Sequence, residues 1–200
     1  MSKQLLIVFV KNFNLGKVKT RLAKTIGDKK ALDIYKQLVS ITQNAILDVN
    51  VDKHIYFSEH INEKLWGTND LKFVQEGHHL GEKMLNAINR GFKQGYKHII
   101  LIGSDLPDIS ATIIQQAFTY LKVSDYVFGP ATDGGYYLIG MKEHSAFIFK
   151  NKPWSTPQLL NTTLVEIEQK QKRYTLLLPF NDIDTYEDFK SSSIFNKNKV

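Results

Sequence analysis

Residues 98–105 read HIILIGSD, an apolar run that ends in Gly103, Ser104 and Asp105. A second run, LLIVFV, occupies residues 5–10 near the N-terminus. Short, continuous and partly β-branched apolar runs are typical of strands that are covered on both faces, as in parallel sheets. The two runs therefore predict the centre of a buried parallel sheet, with Asp105 at the carboxyl end of one central strand.

Segments with helical and strand periodicity alternate along the rest of the chain. The helices are predicted over residues 30–47, 80–92, 110–121 (capped by Ser110), 155–170 and a short stretch after Thr185. Further strands are predicted over residues 54–57, 71–74, 126–128, 136–141 and 174–178, with 136–141 expected to be antiparallel. Alternating strands and helices form βαβ units. We therefore predict an α/β fold, a three-layer α/β/α sandwich with a mainly parallel, mixed sheet, whose ligands bind outside the carboxyl ends of the strands.

The composition is that of an ordinary globular protein, with 42% hydrophobic and 23% charged residues among 200. It predicts a single domain over residues 1–190 and a polar C-terminal tail over 191–200, and it carries no signal for an oligomeric state. No apolar stretch approaches the roughly 18 residues of a membrane span, and no signal peptide is evident, so we expect a cytoplasmic protein. The absence of cysteine excludes disulfides, thiolate metal sites and a cysteine nucleophile.

The net charge of +6 is concentrated rather than spread evenly. One segment holds Lys11, Lys17, Lys19, Arg21 and Lys24. No predicted helix carries a continuous basic stripe with interleaved aromatic residues, which disfavours a nucleic-acid surface. A compact pocket for phosphate groups, and hence a nucleotide ligand, explains the cluster better.

The segment KNFNLGKVKTRL, residues 11–22, directly follows the first strand and is interpreted as a phosphate-binding loop. Gly16 lets backbone N–H groups approach a diphosphate, while Lys19 and Arg21 supply positive charge. Lys17 and Thr20 complete the predicted set. The loop matches neither the Walker pattern nor GxGxxG, and the alternative interpretation is a solvated basic loop.

Asp105 is the first candidate metal ligand, because a carboxylate at the tip of a central strand suits Mg²⁺ or Mn²⁺. The alternative is that it caps the turn before Pro107. The segment NDIDTYED, residues 181–188, offers more acids. In an extended chain Asp182 and Asp184 point to one side, where both could complete the metal site. The last two acids of the segment fall in the first turn of a helix and are interpreted as structural.

The segment GPATDGGYY, residues 129–137, combines a turn with an acid and two tyrosines. Asp133 is a candidate for activating an acceptor or binding a sugar hydroxyl. Gly134, Gly135 and Tyr136 are candidates for contact with a sugar or base, although paired glycines also make simple turns. The adjacent pair His78 and His79 is interpreted as a surface loop rather than a metal site, since neighbouring side chains diverge.

Together these segments resemble a family of small bacterial GT-A-type transferases, many of them labelled arsenosugar-biosynthesis glycosyltransferases. The resemblance covers nearly the whole chain, with matching pieces in the family's order at residues 16–22, 80–84, 102–107, 129–140, 154–156 and 182–185. It implies a nucleotide-diphospho-sugar transferase (GT-A-like) fold, with Asp105 as the metal-binding acid, Gly81 in the phosphate site and Trp154 in the substrate site. A more distant similarity to cofactor guanylyltransferases and CMP-sugar synthetases implies Asp184 as the second metal ligand.

We therefore expect a glycosyltransferase, dependent on Mg²⁺ or Mn²⁺, that moves a sugar from a nucleoside diphosphate sugar to a small acceptor. Asp105 and Asp133 are the predicted catalytic residues. The alternative is a nucleotidyltransferase that attacks the α-phosphate of a nucleoside triphosphate and releases pyrophosphate, since both reactions use the same parts. A third hypothesis is a non-catalytic nucleotide-sensing module.

Overall fold

The strands of this protein form one mixed sheet in a computed structural model that describes residues 4–195. Within those residues the sheet has the order β3-β2-β1-β4-β6-β5-β7. β6 pairs antiparallel with β4 and β5, and the other neighbours are parallel. The strands are β1 (Gln4–Val10), β2 (Asp52–Phe57), β3 (Leu71–Val74), β4 (His98–Ile102), β5 (Tyr126–Pro130), β6 (Tyr136–Met141) and β7 (Tyr174–Leu176). The predicted fold class, including the antiparallel strand, is confirmed.

Helices cover both faces of the sheet, which explains the continuous apolar runs. In β1, Leu6 and Val8 belong to an apolar cluster with side chains of the helices Asp28–Leu47 and Ala111–Tyr120. Leu5 and Ile7 belong to a second cluster with side chains of the helices Leu80–Lys93 and Leu159–Gln169. Residues 5–10 of the strand are all apolar and buried, as a strand covered on both faces requires. The helices are α1 (Thr20–Ile26), α2 (Asp28–Leu47), α3 (Leu80–Lys93), α4 (Ala111–Tyr120), α5 (Leu159–Gln169) and α6 (Tyr186–Ser191), with a 3-10 turn at Ala146–Ile148.

Two helix boundaries differ from the sequence prediction. The predicted loop over residues 11–22 is shorter, because α1 begins at Thr20. α5 begins at Leu159 rather than at Ser155, whose positive φ of 61° is incompatible with a helical residue. The predicted cap at Ser110 is present, as is the capping box in which Thr185 and Asp188 bond each other's backbone.

The C-terminal segment packs against the body of the protein as far as it is described. Ile194, with 2% of its surface exposed, joins a third apolar cluster with side chains of α1, α2 and α6. Residues 196–200 of the predicted tail lie outside the described residues.

Within residues 4–195, none of the helices is both long enough and apolar enough to cross a lipid bilayer.

Candidate functional site

A cleft of about 350 Å³ opens at the carboxyl ends of β1 and β4. This is the edge at which ligands bind in open α/β sheets. The segments that follow β1, β4 and β5 all contribute to its lining, as does the segment before α6. The predicted site residues that line it are Lys19, Asp105, Asp133, Gly135, Tyr136, Trp154 and Asp182.

Lys19 and Asp105 make the closest ionic contact of the cleft. The Nζ atom of Lys19 donates to Oδ2 of Asp105 over 3.0 Å, and the lysine side chain is only 6% exposed. Lys19 has a left-handed backbone (φ 47°), an unusual conformation for a residue other than glycine. Burial raises the pKa of Asp105, but the charge and hydrogen bond of Lys19, with the charge of Lys11, outweigh it and hold that pKa below its usual value. Asp105 is therefore a carboxylate that is stabilised by the ammonium group beside it.

Asp182 is the second acid that approaches Asp105. Its neighbour Ile183 is fully buried, and the Ile183 backbone N–H donates to the carbonyl oxygen of Asp105 over 3.4 Å. Burial, followed by the negative charge of Asp105, raises the pKa of Asp182 to about 6, and Asp133 adds to the shift. The negative charges of Asp105 and Asp133 therefore both act on Asp182 in one cleft, an arrangement that favours a bound cation.

Asp184 points elsewhere, although the sequence analysis groups it with Asp182. Its Oδ2 accepts from Nη1 of Arg21 over 2.7 Å, where the arginine side chain is largely exposed and that of Asp184 is half-buried. Asp184 does not line the cleft. The ion pair joins α1 to the segment that carries Asp182.

The other predicted phosphate-binding residues lie outside the cleft. Lys17 pairs with Glu59 over 3.3 Å, while Gly16 and Thr20 are exposed. Gly81 is buried in the first turn of α3. Of the six predicted phosphate-binding residues, all of which are described in the structure, only Lys19 lines the cleft.

The turn before β6 is fixed by close packing. Gly134 has a φ of 89°, and a Cβ atom there would lie 2.1 Å from the carbonyl oxygen of Pro157. Oδ1 of Asp133 accepts from the backbone N–H of Gly135 over 2.8 Å. Glycine at 134 therefore allows the segment that carries Asp133 to approach the segment that carries Trp154.

Trp154 and Tyr136 form an aromatic wall of the cleft, with ring centroids 6.5 Å apart. A Cβ atom at Gly81 would lie 2.7 Å from the indole, so Gly81 is required for the position of Trp154. The indole N–H and the Tyr136 hydroxyl are buried and have no hydrogen-bond partner among the described residues. The indole nitrogen faces α3, since it would lie 2.7 Å from a Cβ atom at Gly81.

Sequence reasoning missed a hydrogen-bonded set behind Asp105. The Tyr35 hydroxyl accepts from the backbone N–H of Lys11 over 2.7 Å and shares a hydrogen bond of 2.9 Å with the Ser104 hydroxyl. All three residues line the cleft, as does Gln75. The sequence contained two indications of this set. Tyr35 places a hydroxyl on the apolar face of α2, and Ser104 directly precedes Asp105.

The histidine pair has a local structural role. His79 caps α3, accepting from the backbone N–H of Glu82 at its Nδ1 atom over 3.3 Å. The His78 backbone N–H donates to the Glu82 carboxylate over 2.8 Å. Both histidines are exposed.

The acids of the cleft fit a divalent cation that is shared with a substrate. No group of three or more potential ligands for a metal occurs within residues 4–195. Mg²⁺ is usually held by one or two carboxylates together with substrate phosphates and water. Asp105 and Asp182 supply two such carboxylates in one cleft. These residues therefore suit a cation that arrives with a phosphate better than one that the protein holds alone.

A bacterial family described as "Uncharacterized protein conserved in bacteria" (DUF2064) matches residues 41–156. A crystal structure from Desulfovibrio desulfuricans, of a protein provisionally named a nucleotide-diphospho-sugar transferase, shares 30% sequence identity. The alignment covers 97% of this chain and 90% of that chain, with a TM-score of 0.86. No curated protein matches significantly.

More distant structures share the fold. The 4-diphosphocytidyl-2C-methyl-D-erythritol synthase of Anaerococcus prevotii is 10% identical, with a TM-score of 0.62 over 98% of this chain and 99% of that one. Rv0371c of Mycobacterium tuberculosis, solved in complex with manganese, is 10% identical, with a TM-score of 0.55 over 94% of this chain and 96% of that one. These likenesses agree with the predicted nucleotide-diphospho-sugar transferase fold.

Proposed function

The chain belongs to the DUF2064 family of bacterial proteins, and from that premise we propose that it is a transferase that acts on a nucleotide-linked diphosphate. The donor is a nucleoside diphosphate sugar, and the acceptor is a small molecule with a hydroxyl group. The observation that carries the proposal is the convergence of Lys19 with Asp105, Asp133 and Asp182 in one cleft. A buried ammonium beside paired carboxylates is what a diphosphate and its cation need.

Asp105 and Asp182 would hold Mg²⁺ or Mn²⁺, which would neutralise the charge that develops on the departing diphosphate. Asp184, the other expected ligand, is assigned the role of holding Arg21 in place, because the two are bonded. Lys19 contacts the phosphates inside the cleft, and Arg21 reaches them from outside. Gly16, Lys17 and Thr20 belong to the same segment and would contact the outer phosphate or the nucleoside.

Asp133 is assigned to the acceptor. The bond between the sugar's anomeric carbon and the diphosphate oxygen breaks, and a bond from that carbon to the acceptor oxygen forms. The acceptor's hydroxyl proton passes to the Asp133 carboxylate, which is exposed and lines the cleft. Tyr136, Trp154 and the backbone at Gly135 would position the sugar and the acceptor.

Sugar transfer is favoured because the D. desulfuricans relative, at 30% identity, carries the name of a nucleotide-diphospho-sugar transferase. Nucleotidyl transfer is the second candidate, supported by the fold shared with a diphosphocytidyl synthase along nearly the whole chain. It would use the same carboxylates and Lys19, with attack at the α-phosphate.

Product analysis tests the proposal. Nucleotides and nucleotide sugars that raise the melting temperature in the presence of Mn²⁺ identify the donor. Incubation with that donor and a panel of hydroxyl acceptors should release a nucleoside diphosphate. Release of pyrophosphate from a nucleoside triphosphate would instead establish the second candidate. Stabilisation that needs no metal and survives Asp105→Asn, without turnover, would favour the nucleotide-sensing module.

A further inference from the structure

The ammonium group of Lys19 lies against the carboxylate oxygen of Asp105 that a bound cation would also contact. One oxygen of Asp105, Oδ1, lies over the backbone of Gly103, where a Cβ atom would be 2.9 Å away. The other, Oδ2, holds the Lys19 ammonium at 3.0 Å. A metal ion bound to Oδ2 would be repelled by the Lys19 ammonium, because both cations would have to lie within about 3 Å of the same oxygen.

The side chain of Lys19 is poorly placed to turn into solvent. Its side chain is 6% exposed, and its backbone has the left-handed conformation. Asp105, Asp133 and Asp182 line this part of the cleft together with Lys11 and Lys19. Of the two lysines, Lys19 is the one that is hydrogen-bonded to Asp105 and compensates directly for its charge.

We propose that Lys19 is a positioning residue that holds the cation position beside Asp105 until a substrate phosphate draws its ammonium away. This inference rests on the proposed function. A diphosphate in the cleft offers Lys19 oxygen atoms as partners, so Oδ2 of Asp105 becomes free for a divalent cation. The cation and the diphosphate therefore bind cooperatively, and each binds weakly alone.

The test compares three proteins: the wild type, Lys19→Met, and the control Lys24→Met. Lys24 is an exposed lysine of α1, five residues after Lys19, and does not line the cleft. Binding of Mn²⁺ alone is followed from the paramagnetic resonance signal of the free ion. Binding of pyrophosphate alone is measured by calorimetry in the presence of EDTA, and melting temperatures establish that each variant is folded.

Lys19→Met should bind Mn²⁺ alone about tenfold more tightly than the wild type, because the competing charge is removed. It should bind pyrophosphate alone more weakly by a similar factor. Lys24→Met should change neither affinity. If Lys19→Met does not fold, Lys19→Gln, which keeps a polar side chain of similar length, replaces it with the same expectation.

A folded Lys19 variant that binds Mn²⁺ no more tightly than the wild type overturns the inference, including the case in which neither protein binds the ion. The proposed function fails separately, if no nucleotide, nucleotide sugar or pyrophosphate binds to the wild type with Mn²⁺ present. Tighter Mn²⁺ binding by the variant without any turnover in the wild type would support the cation position and reject the transfer reaction.

Discussion

The ammonium of Lys19 lies 3.0 Å from the carboxylate of Asp105, which is 86 residues further along the chain. The contact follows from the sheet, because β1 and β4 are adjacent and parallel, so the segments after them meet at one edge. The positive charge after the first strand and the acid at the tip of the central strand therefore share one cleft.

Asp182 and Asp184 should differ in their effect on metal binding. Asp182→Asn should weaken Mn²⁺ binding in the presence of pyrophosphate by roughly tenfold or more, because it removes an oxygen ligand from the cleft. Asp184→Asn is the control and should change the affinity less than about threefold, since Asp184 bonds Arg21 outside the cleft. Calorimetry on both variants decides the assignment. The reverse order would make Asp184 the ligand.

Gly81→Ala should disturb the aromatic wall. The new Cβ atom would lie 2.7 Å from the Trp154 indole and 2.8 Å from the Phe149 carbonyl oxygen, so one of them must move. We expect a loss of about 1–3 kcal/mol in the free energy of unfolding, measured by urea denaturation, and weaker substrate binding. Gly81→Ala combined with Trp154→Leu should recover part of this loss. A single variant as stable as the wild type would contradict the packing.

Asp188→Ala should weaken the segment that carries Asp182. The Asp188 carboxylate accepts hydrogen bonds from Thr185 and from the side chain of Asn181. Removing it should lower the free energy of unfolding by about 1 kcal/mol or more, as measured by urea denaturation. Glu187→Ala, the neighbouring acid with an exposed pair to Lys190, should have little effect. Equal losses from both variants would show that the capping network contributes nothing specific.

His54 should make the protein sensitive to acid. Its ring is fully buried against Phe73 and Tyr96, with both nitrogens lacking a hydrogen-bond partner among the described residues. Burial lowers the pKa of His54 from 6.5 to about 4, with Asp52 opposing the shift and Arg90 adding to it. The unfolded chain therefore takes up a proton first as the pH falls. The stability that neutral His54 contributes above pH 6.5 is lost between that pH and about 4, an amount of roughly 3 kcal/mol.

The measurement is the free energy of unfolding of the wild type and of His54→Leu at pH 7 and pH 4. Leucine places an apolar side chain that cannot bind a proton in the same space. The variant should therefore lose less free energy of unfolding between pH 7 and pH 4 than the wild type. An identical loss in both proteins would show that other groups control the acid sensitivity.

The sheet and the cleft acids could be predicted because each is encoded locally. Apolar runs such as residues 5–10 mark strands buried on both faces, and Asp105 directly follows such a run. The helix α1 could not be predicted in this way. It has seven residues, which are too few for a periodic pattern. It also begins after Lys19, whose left-handed backbone could not be expected from a lysine.

The partners of the site residues were also beyond the sequence. Asp182 lines the cleft, whereas Asp184 is bonded to Arg21, a residue 163 positions away in the sequence. The packing of Gly81 on Trp154 joins α3 to the segment before α5. Local patterns do not contain contacts of this range, so the roles that the family resemblance implied for these residues came without their partners in the fold.

The most direct test of the central claim compares Asp105→Asn with Asp108→Asn. Asp108 is an exposed acid three residues further on and does not line the cleft. We expect Asp105→Asn to abolish both turnover and the stabilisation by nucleotide that depends on Mn²⁺, while Asp108→Asn retains both. An Asp105→Asn protein that is folded and turns over the donor at the wild-type rate would contradict the account.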